Sequence, residues 1–350
     1  MRFVLLLAAA GAALAQQPVA TMAAATGAYK VIKTVKAGGD GGFDYIFADD
    51  AGRRLYIPRT GQSARVTVFD LDTLASVGTI ANTNARGAVV DPKSGHGFAS
   101  SKPVAMWDTK TLAPIKTVDV DGGPDGILFD PFNARVWVFS HRAPNATVIN
   151  AADGSIAGTV DLGGAPEQAV TDGKGTLWVD LEDKDTIAVV DAKTLKVTTH
   201  YELQGKGGTC AGLAFDSKNR ILFATCRKPE TMVILGADSG KILETLPIGS
   251  GTDGAVFNPN TMEAFSSHSD GTLTIVKENS PTSFVVEQNV QTMRGAKTLT
   301  LDKKTNHILV MAAEYAPPPA PAPGATPAPG GRGGRGQMVP DSFTILVIGK

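Results

Sequence analysis

An acidic or amide side chain returns along this chain at a nearly constant spacing, and this repeat restricts the possible folds more than any other feature. Each such residue follows a short apolar run and begins a polar turn. Successive members lie 39 to 44 residues apart. They are Asp50, Asp91, Asp130, Asp172, Asp216, Asn258 and Asp302. The chain therefore contains seven copies of one structural unit.

The copy at residues 121–162 has four short runs rich in β-branched and aromatic residues, separated by turns of Gly, Pro, Asn and Asp. No run has the length or the 3.6-residue period of a helix. Four short strands in each copy, at a period of about 40 residues, are typical of a β-propeller, because one open sheet needs neighbours to cover both of its faces. We predict an all-β fold, a seven-bladed β-propeller of four-stranded antiparallel blades.

The two ends of the chain predict how the ring of blades closes. The last copy supplies only two further runs after Asp302 and ends one strand short. Residues 29–35 resemble the outer strand of a blade, yet they precede the first full copy. We expect this N-terminal strand to complete the last blade, because closure removes an open sheet edge. Residues 27–350 then form a single propeller domain.

The first residues have the pattern of a secretory signal peptide. Arg2 precedes an apolar run from residue 3 to residue 14, and small residues surround a cleavage site after Ala15. The run is shorter than the roughly 20 residues that a membrane-spanning helix needs, so we expect no transmembrane anchor. The pattern predicts an exported protein, periplasmic or secreted, with residues 16–26 as a disordered leader.

Charge composition restricts the partners. The chain has 33 basic and 34 acidic residues, dispersed along its length. No basic stripe indicates a nucleic-acid partner. We expect a monomer whose partner is a small molecule or a protein of the cell envelope.

Residues 316–340 interrupt the last copy with a segment rich in Pro, Gly and Arg. Such a composition does not form a packed core, so we predict a disordered loop inserted in blade seven. The segment is either a passive insertion or a tether that uses Arg332 and Arg335. The sequence favours the first, because two arginines are few for an electrostatic contact.

The repeats resemble a known family. The segments VTVFDLDTL from residue 66 and AVVDAKTL from residue 188, with the glycine-rich turns before the first strands, are similar to YVTN-repeat proteins of the YncE-like group. The resemblance covers residues 29–350 apart from the insertion, and it implies an exported seven-bladed propeller. It implies little about activity, because lactonase-like hydrolases and propeller subunits of amine dehydrogenases share the architecture.

The two cysteines fall in the fifth copy. Cys210 precedes its first strand and Cys226 ends its second. Folding that hairpin about Lys218, midway between them, places the two directly opposite each other. An exported protein can keep a disulfide at such a position, so we predict a Cys210–Cys226 bond, with two buried thiols as the alternative.

Binding residues are expected at one mouth of the central channel, where loops from all blades meet. The loops that precede the first strands place there Asp44, Arg86, Asp125, Glu167, Ala211, Asp253 and Lys297. The loops between second and third strands add Arg59, Lys102, His141, Arg142, Glu182, Asp183, Arg227, His268 and Glu314. Blades three and six carry similar pairs, so Asp125, His141, Asp253 and His268 are candidates for one shared pocket.

We predict a polar pocket for an anionic or sugar-like ligand at this mouth. The ligand-binding candidates are Asp44, Arg86, Asp125, His141, Glu167, Arg227, Asp253, His268 and Lys297. No cofactor is clearly indicated. A divalent cation such as calcium is possible, with oxygen ligands from Asp44, Asp125, Glu167 and Asp253. The alternative is that these polar residues only solvate the mouth and hold its loops.

Two functional hypotheses follow. The sequence lacks the motifs of serine hydrolases, zinc proteases, haem attachment and P-loops. It therefore favours a non-enzymatic binding or interaction scaffold in the cell envelope. The alternative is a lactonase-like, metal-dependent hydrolase that uses the acidic mouth, and its catalytic residues are unknown. A minor third possibility is a cofactor-free subunit of a redox complex.

Overall fold

Seven four-stranded antiparallel sheets form the ring of a β-propeller in the computed structural model, which describes residues 27–143, 145–317 and 336–350. The predicted signal peptide, the leader and most of the predicted loop at 316–340 lie outside these residues. No α-helix occurs in the described part of the chain, and thus no helix there could cross a membrane. The predicted fold class and the blade number are confirmed.

The chain enters through β1 (Lys30–Lys36) and then builds the first three blades in order, each from its innermost to its outermost strand. Blade one contains β2 (Phe47–Asp49), β3 (Arg54–Arg59), β4 (Arg65–Asp70) and β5 (Ser76–Ala81). Blade two contains β6 (Ala88–Asp91), β7 (His96–Ala99), β8 (Val104–Asp108) and β9 (Pro114–Val118). Blade three contains β10 (Pro124–Asp130), β11 (Arg135–Ser140), β12 (Ala146–Asn150) and β13 (Ile156–Val160).

The next three blades repeat this order. Blade four contains β14 (Pro166–Thr171), β15 (Thr176–Leu181), β16 (Thr186–Asp191) and β17 (Lys196–Glu202). Blade five contains β18 (Cys210–Asp216), β19 (Ile221–Arg227), β20 (Glu230–Gly236) and β21 (Ile242–Pro247). Blade six contains β22 (Thr252–Asn258), β23 (Glu263–His268), β24 (Thr272–Ser280) and β25 (Ser283–Gln291).

Blade seven joins the two ends of the chain. It contains β26 (Leu299–Asp302), β27 (His307–Ala312) and β28 (Thr344–Gly349), and β1 is its outermost strand. β1 pairs antiparallel with β28, from Lys30 opposite Gly349 to Lys36 opposite Thr344. The predicted closure by an N-terminal strand is confirmed.

The hydrophobic core lies between neighbouring blades, because each strand alternates its side chains between two covered sheet faces. Tryptophans fill three of these interfaces and are fully buried. Trp107 packs between blades one and two, Trp137 between three and four, and Trp178 between four and five. This tight lateral packing fixes the blades relative to one another, and so fixes the loops around the channel.

The repeated acidic residues make the turns between first and second strands, as the spacing predicts. Asp91 and Asp216 each accept backbone N–H groups two and three residues further on. Blade one requires a correction. There Asp49 accepts from the backbone of Ala51 and Gly52, whereas Asp50 accepts from the backbone N–H of Lys303 in blade seven. The turn residue of blade one is therefore Asp49.

The predicted disulfide is also confirmed. Cys210 and Cys226 are directly paired across β18 and β19, and their sulfur atoms lie 1.98 Å apart. The bond ties the start of the innermost strand of blade five to the end of its neighbour. It therefore holds the loop that carries Arg227 to the channel mouth.

A buried glutamate of blade six predicts how stability depends on pH. Glu278 is 3% exposed, and it accepts a hydrogen bond of 2.6 Å from Asn219. Burial raises its pKa from 4.5 to about 7, and nearby Asp216 adds to this rise while Asn219 and Lys218 oppose it. The folded protein then binds more protons than the unfolded chain between pH 4.5 and 7. This contribution to stability is complete below pH 4.5 and is lost as the pH rises through 7.

We therefore expect the unfolding free energy of the wild type to fall by roughly 2 kcal/mol more than that of Glu278→Gln between pH 5 and pH 8. Urea denaturation of wild type and variant at both pH values measures the difference. Glu244→Gln is the matched control, because Glu244 is an exposed glutamate of the adjacent blade five. Parallel pH profiles for wild type and Glu278→Gln would contradict the assignment.

Candidate functional site

The channel mouth collects charged side chains from all seven blades. The loop positions that lead into the innermost strands bring Asp44, Arg86 and Lys297 there. Strand pairing brings residues at the ends of second strands beside them. For example, Pro124 of β10 pairs with Ser140 of β11, which places Asp125 and His141 next to each other.

Five of these side chains form a continuous series from blade one to blade four. Asp44 Oδ2 lies 3.0 Å from Arg86 Nη1, and Arg86 Nε lies 3.6 Å from Asp125 Oδ1. His141 Nε2 lies 3.6 Å from Asp125 Oδ2 and 3.6 Å from Glu167 Oε1. His141 therefore bridges two carboxyl groups that belong to neighbouring blades.

Four further side chains lead from blade four back to blade one. Arg227 Nη1 donates to Glu182 Oε2 over 2.8 Å, and its Nη2 donates to Asp253. Lys297 contacts Asp253 as well, and its Nζ lies 3.3 Å from Asp44 Oδ1. These contacts, together with the neighbouring carboxyl groups of Glu167 and Glu182, close into a circuit, here called the charge ring. Its members are Asp44, Arg86, Asp125, His141, Glu167, Glu182, Arg227, Asp253 and Lys297.

Acidic and nitrogen-bearing side chains alternate around the charge ring except at one place. Glu167 and Glu182 of blade four are neighbouring carboxyl groups, each with an oxygen within 4.8 Å of the other. Burial, together with the charges of Glu182 and Asp125, raises the pKa of Glu167 to about 8, although a hydrogen bond from Tyr45 opposes this rise. This point of the ring therefore favours a proton or another positive charge.

Three residues beneath the ring were not singled out by the sequence. Tyr45 of blade one donates to Glu167 Oε2 over 2.7 Å, so it reaches across the channel to blade four. Gln168 accepts from the backbone of Leu213 and of Ala255, and donates to the carbonyl of Ala255 at 2.9 Å. Gln168 therefore ties blade four to blades five and six inside the channel.

Asp180 is the third. It lies on β15, is fully buried, and neither of its carboxylate oxygens has a hydrogen-bond partner among the described residues. Burial raises its pKa well above the usual range, and the charge of Glu167 adds to the effect. A signal for it was present in the sequence, because the corresponding position in blade three is the apolar Phe139.

Two cavities adjoin the charge ring. A polar cavity of about 580 Å³ lies at the mouth beside blades one to three. Its walls include ring members and two further basic residues, Lys102 and Arg142. A smaller cavity of about 260 Å³ lies below, with mostly apolar walls and with Tyr45 and Glu167 in its lining. The mouth thus offers a polar chamber above a narrower apolar one.

The predicted pairing of blades three and six is only half observed. Asp125 and His141 are neighbours, but His268 is fully buried and its Nδ1 contacts Thr272 rather than the charge ring. Burial lowers the pKa of His268 to about 4. It lies at the end of β23 and contacts Thr272 at the start of β24 of the same blade, so it does not reach the pocket.

Arg59 is also turned away from the mouth. Its guanidinium carbon lies 3.6 Å from the ring centroid of Phe343, and it donates to the carbonyls of Gly38 and Gly41. The side chain is 1% exposed. It holds the loop before blade one against blade seven.

The four predicted oxygen ligands do not gather at one point. Asp44 and Asp253 both contact Lys297, and Asp125 lies between Arg86 and His141. A different set comes closest to a metal-binding arrangement in the described part of the chain. One ligand atom from each of His141, Glu167 and Glu182 lies within 4.8 Å of the others.

Comparison with known proteins defines the class of protein. No protein-family model matches this sequence, and no curated protein matches it. A chain of the mitotic checkpoint complex superposes with a TM-score of 0.70 at 11% identity, over 89% of this chain and 96% of the other. Hydrazine synthase of Kuenenia stuttgartiensis gives a TM-score of 0.65 at 14% identity, over 76% and 91% of the two chains. The protein is a seven-bladed β-propeller, and these similarities extend to the fold alone.

Proposed function

We propose that this protein is a YncE-like propeller that is exported and acts as a non-enzymatic binding scaffold in the cell envelope. Its ligand binds at the channel mouth and is a small, anionic, sugar-like molecule. The observation that carries the proposal is the charge ring, which opens on one side into the polar cavity of about 580 Å³. Export rests on the first 15 residues, and a mature protein that begins at Gln16 is the expected product.

The charges at the cavity support an anionic ligand. The carboxylates in its wall, Asp44 and Asp125, already have Arg86, Lys297 or His141 beside them. Arg86 is 54% exposed and directs a guanidinium group toward the cavity. Lys102 and Arg142 lie nearby and are exposed as well. A carboxylate with adjacent hydroxyl groups would meet both the cations and the hydrogen-bond acceptors of this wall.

Calorimetric titration with gluconate, and with the neutral polyol glucitol for comparison, tests this proposal. We expect gluconate to bind with a dissociation constant of about 1 mM or lower, and glucitol about tenfold more weakly. Arg86→Met should weaken gluconate binding about tenfold, since it removes one charge-assisted contact. Lys93→Met is the matched control, because Lys93 is an exposed lysine of the same blade in a turn between first and second strands. Equal binding of gluconate and glucitol, or no binding of either, would contradict the proposal.

A second function, metal-dependent hydrolysis, is favoured by the placement of His141 between two carboxyl groups. Incubation of the metal-supplemented protein with a series of lactones distinguishes the two functions. Turnover that is lost in Glu167→Gln supports the hydrolase, whereas binding of gluconate without turnover of any lactone supports the scaffold.

A further inference from the structure

The place in blade four where two carboxyl groups of the charge ring follow each other has the geometry of a cation site. His141 Nε2 lies 3.6 Å from Glu167 Oε1, and the nearest ligand atoms of His141, Glu167 and Glu182 all lie within 4.8 Å of one another. Zinc binds histidine nitrogen and carboxylate oxygen at about 2.1 Å, so two ligands on one ion lie at most about 4.2 Å apart. Small side-chain adjustments are sufficient to meet this limit. We propose that His141, Glu167 and Glu182 bind one divalent transition-metal ion, with zinc as the reference metal.

The charge balance of the ring supports this site. Everywhere else in the ring a carboxylate is separated from the next by His, Lys or Arg. Glu167 and Glu182 have no such group between them, and their side chains are only 13% and 23% exposed. Two carboxylates held together out of water repel each other unless a proton or a cation lies between them. A divalent ion at this point would restore the alternation.

Asp180 is an independent indication of missing positive charge. It is fully buried with both oxygens unpartnered among the described residues, and it lies on β15, the strand that ends at Leu181 directly before Glu182. Buried polar groups are nearly always paired, and an unpaired carboxylate is costly. Blade four thus carries three carboxyl groups, and Arg227 contacts one of them, Glu182. A bound dication would lower the cost of burying Asp180.

The supporting contacts resemble those of a metal site. Glu167 Oε2 accepts from Tyr45 at 2.7 Å, and Glu182 Oε2 accepts from Arg227 at 2.8 Å. Each glutamate thus has one oxygen held by its own donor, which fixes the orientation of the carboxylate.

The ligand types select the metal. Calcium takes six to eight ligands that are all oxygen, whereas imidazole with carboxylates suits zinc and its first-row neighbours. Only one of the four oxygen ligands expected for calcium, Glu167, belongs to the set. The inference rests on the proposed binding role of the channel mouth and names one occupant of it.

Zinc titration of the full chain, after treatment with chelator and without any organic ligand, tests the site. We expect one zinc ion per chain with a dissociation constant on the order of 1 µM. His141→Asn and Glu182→Gln should each weaken binding at least tenfold, and calcium should not compete at millimolar concentration. Glu202→Gln, an exposed glutamate on the outer strand of the same blade, is the matched control and should bind as wild type does.

Each outcome bears on the site. His141 is 36% exposed, so His141→Asn should fold normally, and circular dichroism verifies this. Absence of zinc binding below about 100 µM, or equal binding by wild type and His141→Asn, overturns the proposal. Gluconate binding in the presence of chelator is measured on the same protein. If gluconate binds and zinc does not, the metal site is refuted. If zinc binds and gluconate does not, the proposed polar ligand is refuted.

Discussion

Deletion of residues 27–36 should leave the propeller open and lower the free energy of unfolding by about 5 kcal/mol or more. The deletion removes the whole outer strand of blade seven and exposes the edge of β28. It also removes Tyr29, whose ring packs edge-on against Phe265 at 5.4 Å and whose backbone bonds to Gln288. Chemical denaturation, or recovery in the insoluble fraction if the chain no longer folds, measures the loss.

Point variants and complementation make this prediction specific. Tyr29→Ala should cost about 3 kcal/mol because Tyr29 is 4% exposed, whereas Ile32→Ala should cost less than about 1 kcal/mol because Ile32 is 40% exposed. A synthetic peptide of residues 27–36 should bind the deleted protein and restore part of its stability. A deleted protein as stable as wild type would show that the ring does not depend on this strand.

The closure could be predicted because strand number is a property of the sequence. One copy lacked a strand at the C-terminus and an unassigned strand stood at the N-terminus, and only one pairing satisfies both. The register of blade one was harder. Asp49 and Asp50 are consecutive acids, and both accept backbone N–H groups. Which of them makes the turn depends on how blade seven packs against it, and the spacing alone does not contain that information.

The candidate site was predictable as a set of loop positions but not as a set of contacts. Loop position places Asp125, His141 and Glu167 at one mouth, since blades repeat the same geometry. It does not specify that Tyr45 crosses the channel or that His268 turns toward Thr272 of its own blade. Those outcomes depend on side-chain directions at the end of each strand. The break in alternation at blade four likewise becomes visible only after the ring is connected.

Arg227→Met should destabilise the protein by about 3 kcal/mol, the second large effect. Arg227 of blade five binds Glu182 of blade four, and in blade six it binds Asp253 and the carbonyl of Thr252 at 3.0 Å. Its side chain is 19% exposed, so its loss leaves two largely desolvated carboxylates with less compensation. Methionine keeps the apolar length of the side chain and removes only the charge and its donors.

A double-mutant cycle with Glu182→Gln, measured by urea denaturation in the presence of chelator, separates the ion pair from the rest of the loss. In the double variant, residue 182 carries no charge that is left unpaired. We therefore expect the double variant to lose about 1–2 kcal/mol less stability than the sum of the two single variants. Arg142→Met, an exposed arginine at the same mouth, should change stability by less than about 0.5 kcal/mol. If Arg227→Met is no less stable than Arg142→Met, the charge ring does not hold blades four, five and six together.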